Sequence, residues 1–113
     1  MINWPGIIKF NNDPELIYMN NQAQWDNDAD HHHSDYDELD CLIDVSGNVY
    51  SFTKKSNGKI VFKLTSGTKT LHEILDIVKS HAAHLNSCCV SKLYADSIKD
   101  AYYLVKLINE SEE

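Results

Sequence analysis

Residues 40–65 read DCLIDVSGNVYSFTKKSNGKIVFKLT, and this stretch carries the clearest strand pattern in the chain. Apolar and polar residues alternate in three short runs, as they do in strands that bury one face. Gly47-Asn48 and Ser56-Asn57-Gly58 separate the runs, and both are turn-forming sequences. The stretch therefore predicts three strands, around residues 41–45, 49–54 and 59–64, in an antiparallel meander.

The length of each turn decides which side chains share a face, because side chains alternate between faces along a strand. With Gly47-Asn48 as a two-residue loop, Ile43 lies opposite Phe52. For the second turn we expect a three-residue loop ending at Gly58 in the left-handed conformation, because this places Phe52 opposite Phe62. The predicted inward face, on which both helices should pack, carries Ile43, Phe52, Phe62 and Leu64.

The flanking sequence supplies the remaining elements. Short apolar runs at 7–10 and 16–19 enclose an Asp-Pro turn and predict a hairpin. Residues 70–73 match a capping box, and apolar residues at spacings of three and four continue the helix to about Leu85. A second helix begins near Ser97, whose hydroxyl can cap it. The predicted fold class is α+β: an antiparallel β-meander of about five strands with two C-terminal helices packed on one face.

Composition and charge limit the classes of function. The chain has 113 residues, 42% of them hydrophobic, so we expect a single domain over residues 1–113. The formal net charge is −7 and every basic residue is lysine, which makes nucleic acid a poor partner. The chain shows neither a secretory leader nor a membrane-spanning run, and its three cysteines are an odd number. We therefore expect a cytoplasmic protein with no membrane contact.

The charge is distributed unevenly along the chain. Residues 10–53 contain ten Asp or Glu residues and no lysine. Such a stretch repels itself unless positive charge meets it. We therefore expect the acidic region from Asp26 to Asp44 to contact a basic protein partner. The alternative is neutralisation within the fold by the lysines at positions 54, 55, 59, 63 and 69.

The segment 26–37 reads DNDADHHHSDYD and contains candidate metal ligands. Its alternating aspartates resemble the start of a calcium-binding EF-hand loop, but His31 replaces the required glycine and Asp37 the terminal glutamate. Histidine with carboxylates also suits zinc, nickel or copper. The competing interpretation is a solvated loop that holds no metal. The candidate ligands are Asp26, Asp28, Asp30, His31, His33 and Asp37.

Other chemically capable residues are interpreted as structural. His81 and His84 lie one turn apart on the predicted first C-terminal helix, and we assign them to its polar face. Cys88 and Cys89 are interpreted as buried thiols. No grouping of residues predicts a catalytic site or a cofactor site.

The N-terminal sequence resembles a known family. Trp4-Pro5-Gly6-Ile7-Ile8-Lys9-Phe10, followed by Glu15-Leu16-Ile17-Tyr18 and Trp25, resembles a family of small uncharacterised proteins from marine gammaproteobacteria, defined only as a domain of unknown function. The resemblance covers the first 25 residues and the overall length, and it implies no catalytic residue.

Two functions are compatible with the sequence. The first is a non-enzymatic protein-interaction module, of the inhibitor or immunity type, that binds a basic partner. The second is a divalent-metal-binding protein that uses loop 26–37. An enzyme is the least expected class, and the sequence does not predict the oligomeric state.

Overall fold

The computed structural model describes residues 2–28, 36–56, 58–85 and 93–111. The fold belongs to the predicted α+β class. Its elements in chain order are β1 (Gly6–Lys9), β2 (Leu16–Met19), α1 (Gln22–Asp26), β3 (Cys41–Asp44), β4 (Asn48–Lys54), β5 (Ile60–Thr68), α2 (Leu71–His84) and α3 (Ile98–Ser111).

The strands form one antiparallel sheet in the order β2-β1-β3-β4-β5. The hairpin of β1 and β2 and the meander of β3, β4 and β5 are both as predicted. The chain crosses from β2 past β1 to reach β3, so β1 lies between them. Both C-terminal helices pack on one face of this sheet. The strand order leaves β2 and β5 at its two edges.

The predicted register between β3 and β4 is wrong. Ile43 pairs with Val49 and not with Phe52. The turn contains three residues, because the Asp44 carboxylate accepts hydrogen bonds from the N–H groups of Ser46 and Asn48, each at 2.9 Å. Gly47 takes the left-handed conformation (φ +85°) that such a turn requires. A register error by an odd number of residues moves Phe52 to the face opposite Ile43.

The predicted register between β4 and β5 is confirmed. Phe52 pairs with Phe62, and the N–H of Lys55 donates to the carbonyl of Lys59 at 2.8 Å. Gly58 has φ +85°, the left-handed conformation expected at the end of this turn.

The sheet buries apolar residues on both faces. The helix face carries Ile7, Leu16 and Ile43, packed against Ile74, Val78, Ala101, Tyr102 and Val105 of the helices. The other face carries Ile8, Leu42, Tyr50 and Ile60, packed against Trp25, with Phe52 and Phe62 at its margin. Phe52 and Phe62 are therefore not beneath the helices, which corrects the predicted inward face. Leu64, which we also expected inside, is 57% exposed.

Both helix starts match the sequence prediction. The Thr70 hydroxyl and the Glu73 carboxylate form the reciprocal capping box of α2. The Ser97 hydroxyl accepts the N–H of Asp100 at the start of α3. No helix in the described ranges has both the length and the apolar character needed to cross a membrane.

Candidate functional site

An aromatic cluster lies on the sheet face opposite the helices. Tyr36 stacks on Phe52, with ring centroids 4.0 Å apart, and on Phe10 at 6.1 Å. Trp25 packs against Phe62 at 4.7 Å and Phe52 at 5.8 Å. Offset or tilted ring pairs at these distances are favourable beyond the area they bury. Because Trp25 and Tyr36 both contact Phe52, α1 and Tyr36 lie on the same face of the sheet.

An acidic turn, residues 37–40, follows Tyr36. The N–H of Asp40 donates to the Asp37 carbonyl at 3.1 Å and closes the turn. The Asp40 carboxylate, 6% exposed, accepts the N–H of Asn11 at 2.6 Å and that of Asp37 at 2.7 Å. Hydrogen bonds to an ionised carboxylate are among the stronger ones in proteins. Asp40 therefore fixes the turn to the end of β1.

The fixed turn presents an apolar side chain between acids. Leu39 is 64% exposed, and Asp37 and Glu38 before it are exposed as well. The Asp37 carboxylate accepts the N–H of Leu39 at 3.3 Å, which limits the freedom of the turn. An exposed leucine in a turn restrained by hydrogen bonds has less conformational freedom to lose on any contact than one in an unrestrained segment.

Asp44 is fully buried and cannot belong to an acidic surface. Its carboxylate accepts N–H groups of Asn3 at 3.1 Å and of Ser46 and Asn48. Burial raises the pKa of the Tyr50 hydroxyl, and the nearby Asp44 carboxylate raises that pKa further. Asp40 and Asp44 both serve to hold the chain together. The acidic region predicted from Asp26 to Asp44 therefore keeps Asp26, Asp37 and Glu38 as its exposed acids among the described residues.

A shallow groove of about 300 Å³ lies beside the aromatic cluster. Trp25, Ile60 and Phe62 line it, together with Asp26 and Lys59. An acid of the first half of the chain and a lysine of the second half thus line the same groove.

The predicted metal ligands are only partly described. Asp26 is the last residue of α1, and its carboxylate accepts the Gln22 side-chain amide at 3.0 Å. Asp28 follows α1, and Asp37 lies in the acidic turn. Within the described ranges, no three His, Cys, Asp or Glu side chains are grouped to hold a metal. Asp30, His31 and His33 lie outside these ranges, so the metal site stays a prediction.

His81 is not on a polar face, contrary to the prediction. It is 2% exposed, and its Nδ1 accepts the Leu16 N–H at 3.0 Å. Its Nε2 lies 2.7 Å from Oδ1 of Asn109, and the Asn109 amide donates to the Leu16 carbonyl at 3.2 Å. Because Nδ1 accepts a hydrogen bond, Nε2 carries the hydrogen and donates to Asn109. Position 81 follows Val78 by three residues, which is the sequence signal that would have placed it on the buried stripe.

His84 and Cys41 are two further chemically capable side chains among the described residues. His84 is exposed and lies 3.5 Å from the Glu15 carboxylate. Burial raises the pKa of the Cys41 thiol, although the charges of Lys9 and Lys69 oppose this, so the reactive thiolate is disfavoured. Cys88 and Cys89 lie outside the described residues, as does most of the connection between α2 and α3.

The fold and its surfaces define an α+β domain with a five-stranded antiparallel sheet, two helices on one face and an aromatic cluster on the other. The chain belongs to the family DUF4144, described as a protein structure with unknown function, whose model matches residues 4–105. The resemblance inferred from the N-terminal motif is thereby confirmed. The chain is also similar to a protein from Shewanella amazonensis solved by NMR, at 19% identity and a TM-score of 0.69. The match covers 95% of this chain and 90% of that one, and it shows the shared fold. No curated protein matches the chain.

Proposed function

We propose that this protein is a non-enzymatic interaction module that binds a basic surface of a partner protein through the acidic turn. The observation that carries the proposal is the exposed Leu39, which follows Asp37 and Glu38 in a turn held by the buried Asp40. An inhibitor or immunity-type protein acts in this way, by covering a basic surface of its target.

The geometry of the turn favours binding on energetic grounds. A segment that is already ordered loses less conformational freedom on association than a disordered one. Burial of the exposed part of Leu39 in a partner pocket contributes about 1 to 2 kcal/mol. The acids add electrostatic steering, which increases the association rate and selects basic partners. The expected partner therefore presents an apolar pocket bordered by lysine or arginine.

The buried polar groups support a non-enzymatic role. Asp40, Asp44 and His81 are the buried Asp and His side chains of the described residues, and each accepts at least one hydrogen bond from a main-chain N–H group. Catalytic groups in enzymes face a cleft and a substrate. These three instead join segments of the chain.

Binding experiments with matched variants test the proposal. Glu38→Lys reverses a charge in the turn, and Leu39→Ser removes the apolar group. Asp76→Lys on α2 and Leu107→Ser on α3 make the same changes at exposed positions elsewhere. We expect immobilised wild-type protein and both controls to retain the same partner from a lysate of the source organism, and the two turn variants to lose it.

Ionic strength provides a second readout in the same experiment. Raising the salt concentration from about 0.15 M to 1 M shortens the screening length from roughly 8 Å to 3 Å, so an electrostatically steered contact should weaken. Identical partner profiles for the turn variants and the controls would contradict the proposal.

A further inference from the structure

The two edges of the sheet differ in how far side chains of the described residues cover their outward main-chain groups. At the β2 edge, the outward N–H and carbonyl of Leu16 are bound by the side chains of His81 and Asn109. The Tyr18 carbonyl accepts the Gln24 side-chain amide at 3.5 Å. Side chains thus occupy the N–H and carbonyl of Leu16 and the carbonyl of Tyr18, which an added strand would need. These bonds obstruct pairing at the β2 edge.

The β5 edge has no such cover among the described residues. The Lys59 carbonyl accepts the Lys55 N–H, so Lys59, and by alternation Val61 and Lys63, direct their main-chain groups toward β4. Ile60, Phe62 and Leu64 consequently direct theirs outward. Within the described residues β5 pairs with β4 alone, so these outward groups form a template for another strand.

Two features restrict what can pair with this edge. Lys63 is exposed, and two copies joined through β5 would bring their lysines together. Beyond Leu64 the register with β4 shifts, and the Thr65 hydroxyl donates to the Val49 carbonyl at 2.8 Å. The regular part of the open edge is therefore Ile60–Leu64, and its charge disfavours self-association.

We propose that the β5 edge binds an extended segment of another protein in which apolar and acidic residues alternate, as a sixth strand of the sheet. Residues that pair across strands share a face. Peptide residues opposite Phe62 and Leu64 would therefore lie on the face of the aromatic cluster. Their side chains would cover the exposed side chain of Leu64. The residue opposite Lys63 lies on the other face, where a carboxylate meets the ammonium group. This site is separate from the acidic turn and has the opposite charge preference.

Synthetic peptides test the proposal on the full-length protein. The probe is a seven-residue peptide that alternates valine and glutamate. One control replaces glutamate with lysine, and another is N-methylated at alternate positions so that it cannot donate to the outward carbonyls. We expect the glutamate peptide to bind and to shift the NMR amide signals of Ile60, Phe62 and Leu64, and both controls to bind at least tenfold more weakly.

Matched protein variants assign the charge preference. Lys63→Glu should weaken the glutamate peptide about tenfold and strengthen the lysine peptide, whereas Lys99→Glu on α3 should change neither. Glu38→Lys should also leave peptide binding unchanged, which separates this site from the acidic turn. Equal binding of the three peptides, or signal shifts confined to residues outside β5, would overturn the proposal. Sedimentation showing that the free protein dimerises through β5 would overturn it as well.

Discussion

The carboxylate of Asp40 accepts a hydrogen bond from the main-chain N–H of Asn11 at 2.6 Å, across 29 residues of sequence. This bond joins the acidic turn to the end of β1. The same carboxylate accepts the Asp37 N–H, so one buried side chain both shapes the turn and anchors it.

Asp40→Ala should therefore destabilise the protein. The substitution leaves two N–H groups without their charged acceptor, and we expect a loss of about 2 to 4 kcal/mol in the free energy of unfolding. Urea denaturation measures it, with Glu38→Gln as the exposed control at less than about 0.5 kcal/mol. A loss below about 1 kcal/mol for Asp40→Ala would show that the anchor is weak.

The hydroxyl of Tyr102 should contribute measurably to stability. It donates to the Asp44 carbonyl at 3.1 Å inside the core, whereas the neighbouring Tyr103 is exposed. Tyr102→Phe should lower the free energy of unfolding by about 1 to 2 kcal/mol, because a buried acceptor loses its donor. Tyr103→Phe should change it by less than about 0.5 kcal/mol. Equal effects of the two substitutions would contradict this assignment.

Tyr102 should also make stability depend on alkaline pH. Burial raises the pKa of its hydroxyl above the usual value, and the charges of Asp44 and Cys41 raise it further. The raised pKa favours the folded state while the unfolded tyrosine stays protonated, below about pH 10. Stability should fall as pH rises above that value. Thermal unfolding between about pH 8 and 11 should show a smaller fall in Tyr102→Phe than in wild type, and identical slopes would exclude this linkage.

The histidine network should behave as one unit. His81→Leu leaves the Leu16 N–H and the side-chain oxygen of Asn109 without their histidine partner, and we expect a loss of about 2 to 4 kcal/mol. In a double-mutant cycle, Asn109→Leu should add less in the His81→Leu background than in wild type. His84→Leu, at an exposed position, is the control. Additive losses at positions 81 and 109 would show that the two side chains do not couple.

The corrected sheet register predicts different costs for two residues of β5. Phe62 packs against Trp25, and Phe62→Ala should cost about 2 to 4 kcal/mol in denaturation experiments. Leu64→Ala should cost less than about 1 kcal/mol, because that side chain is largely exposed. Comparable losses for the two would instead favour the inward face expected from the sequence.

Structural features that depend only on residues close together in the chain can be predicted from the sequence. The capping box at Thr70 and the turn ending at Gly58 are local features, and both are confirmed. The β3–β4 turn was predicted wrongly because its length depends on Asp44, an acid that reads as an outward-facing residue between Ile43 and Val45. Its carboxylate is instead buried and accepts the main-chain N–H groups of Ser46 and Asn48 at the turn and of Asn3 in the N-terminal segment.

The candidate site shows the same limit. The acidic character of the site follows from the composition of the sequence, but the composition does not show which of its acids are exposed. Asp40 and Asp44 are buried by hydrogen bonds to Asn11 and Asn3, which lie 29 and 41 residues away in the sequence. No local pattern distinguishes them from Asp37 and Glu38, so only the tertiary structure identifies Leu39 as the centre of the turn.

Site-specific photo-crosslinking tests the central claim most directly. A benzophenone amino acid is placed at position 39 of the acidic turn or, as the control, at position 107 of α3, both of which are exposed. The proposed function predicts a crosslinked partner from position 39, none from position 107, and loss of the product when Glu38→Lys is added. The absence of a product at position 39, or the same products from both positions, would contradict the claim that the acidic turn is the binding surface.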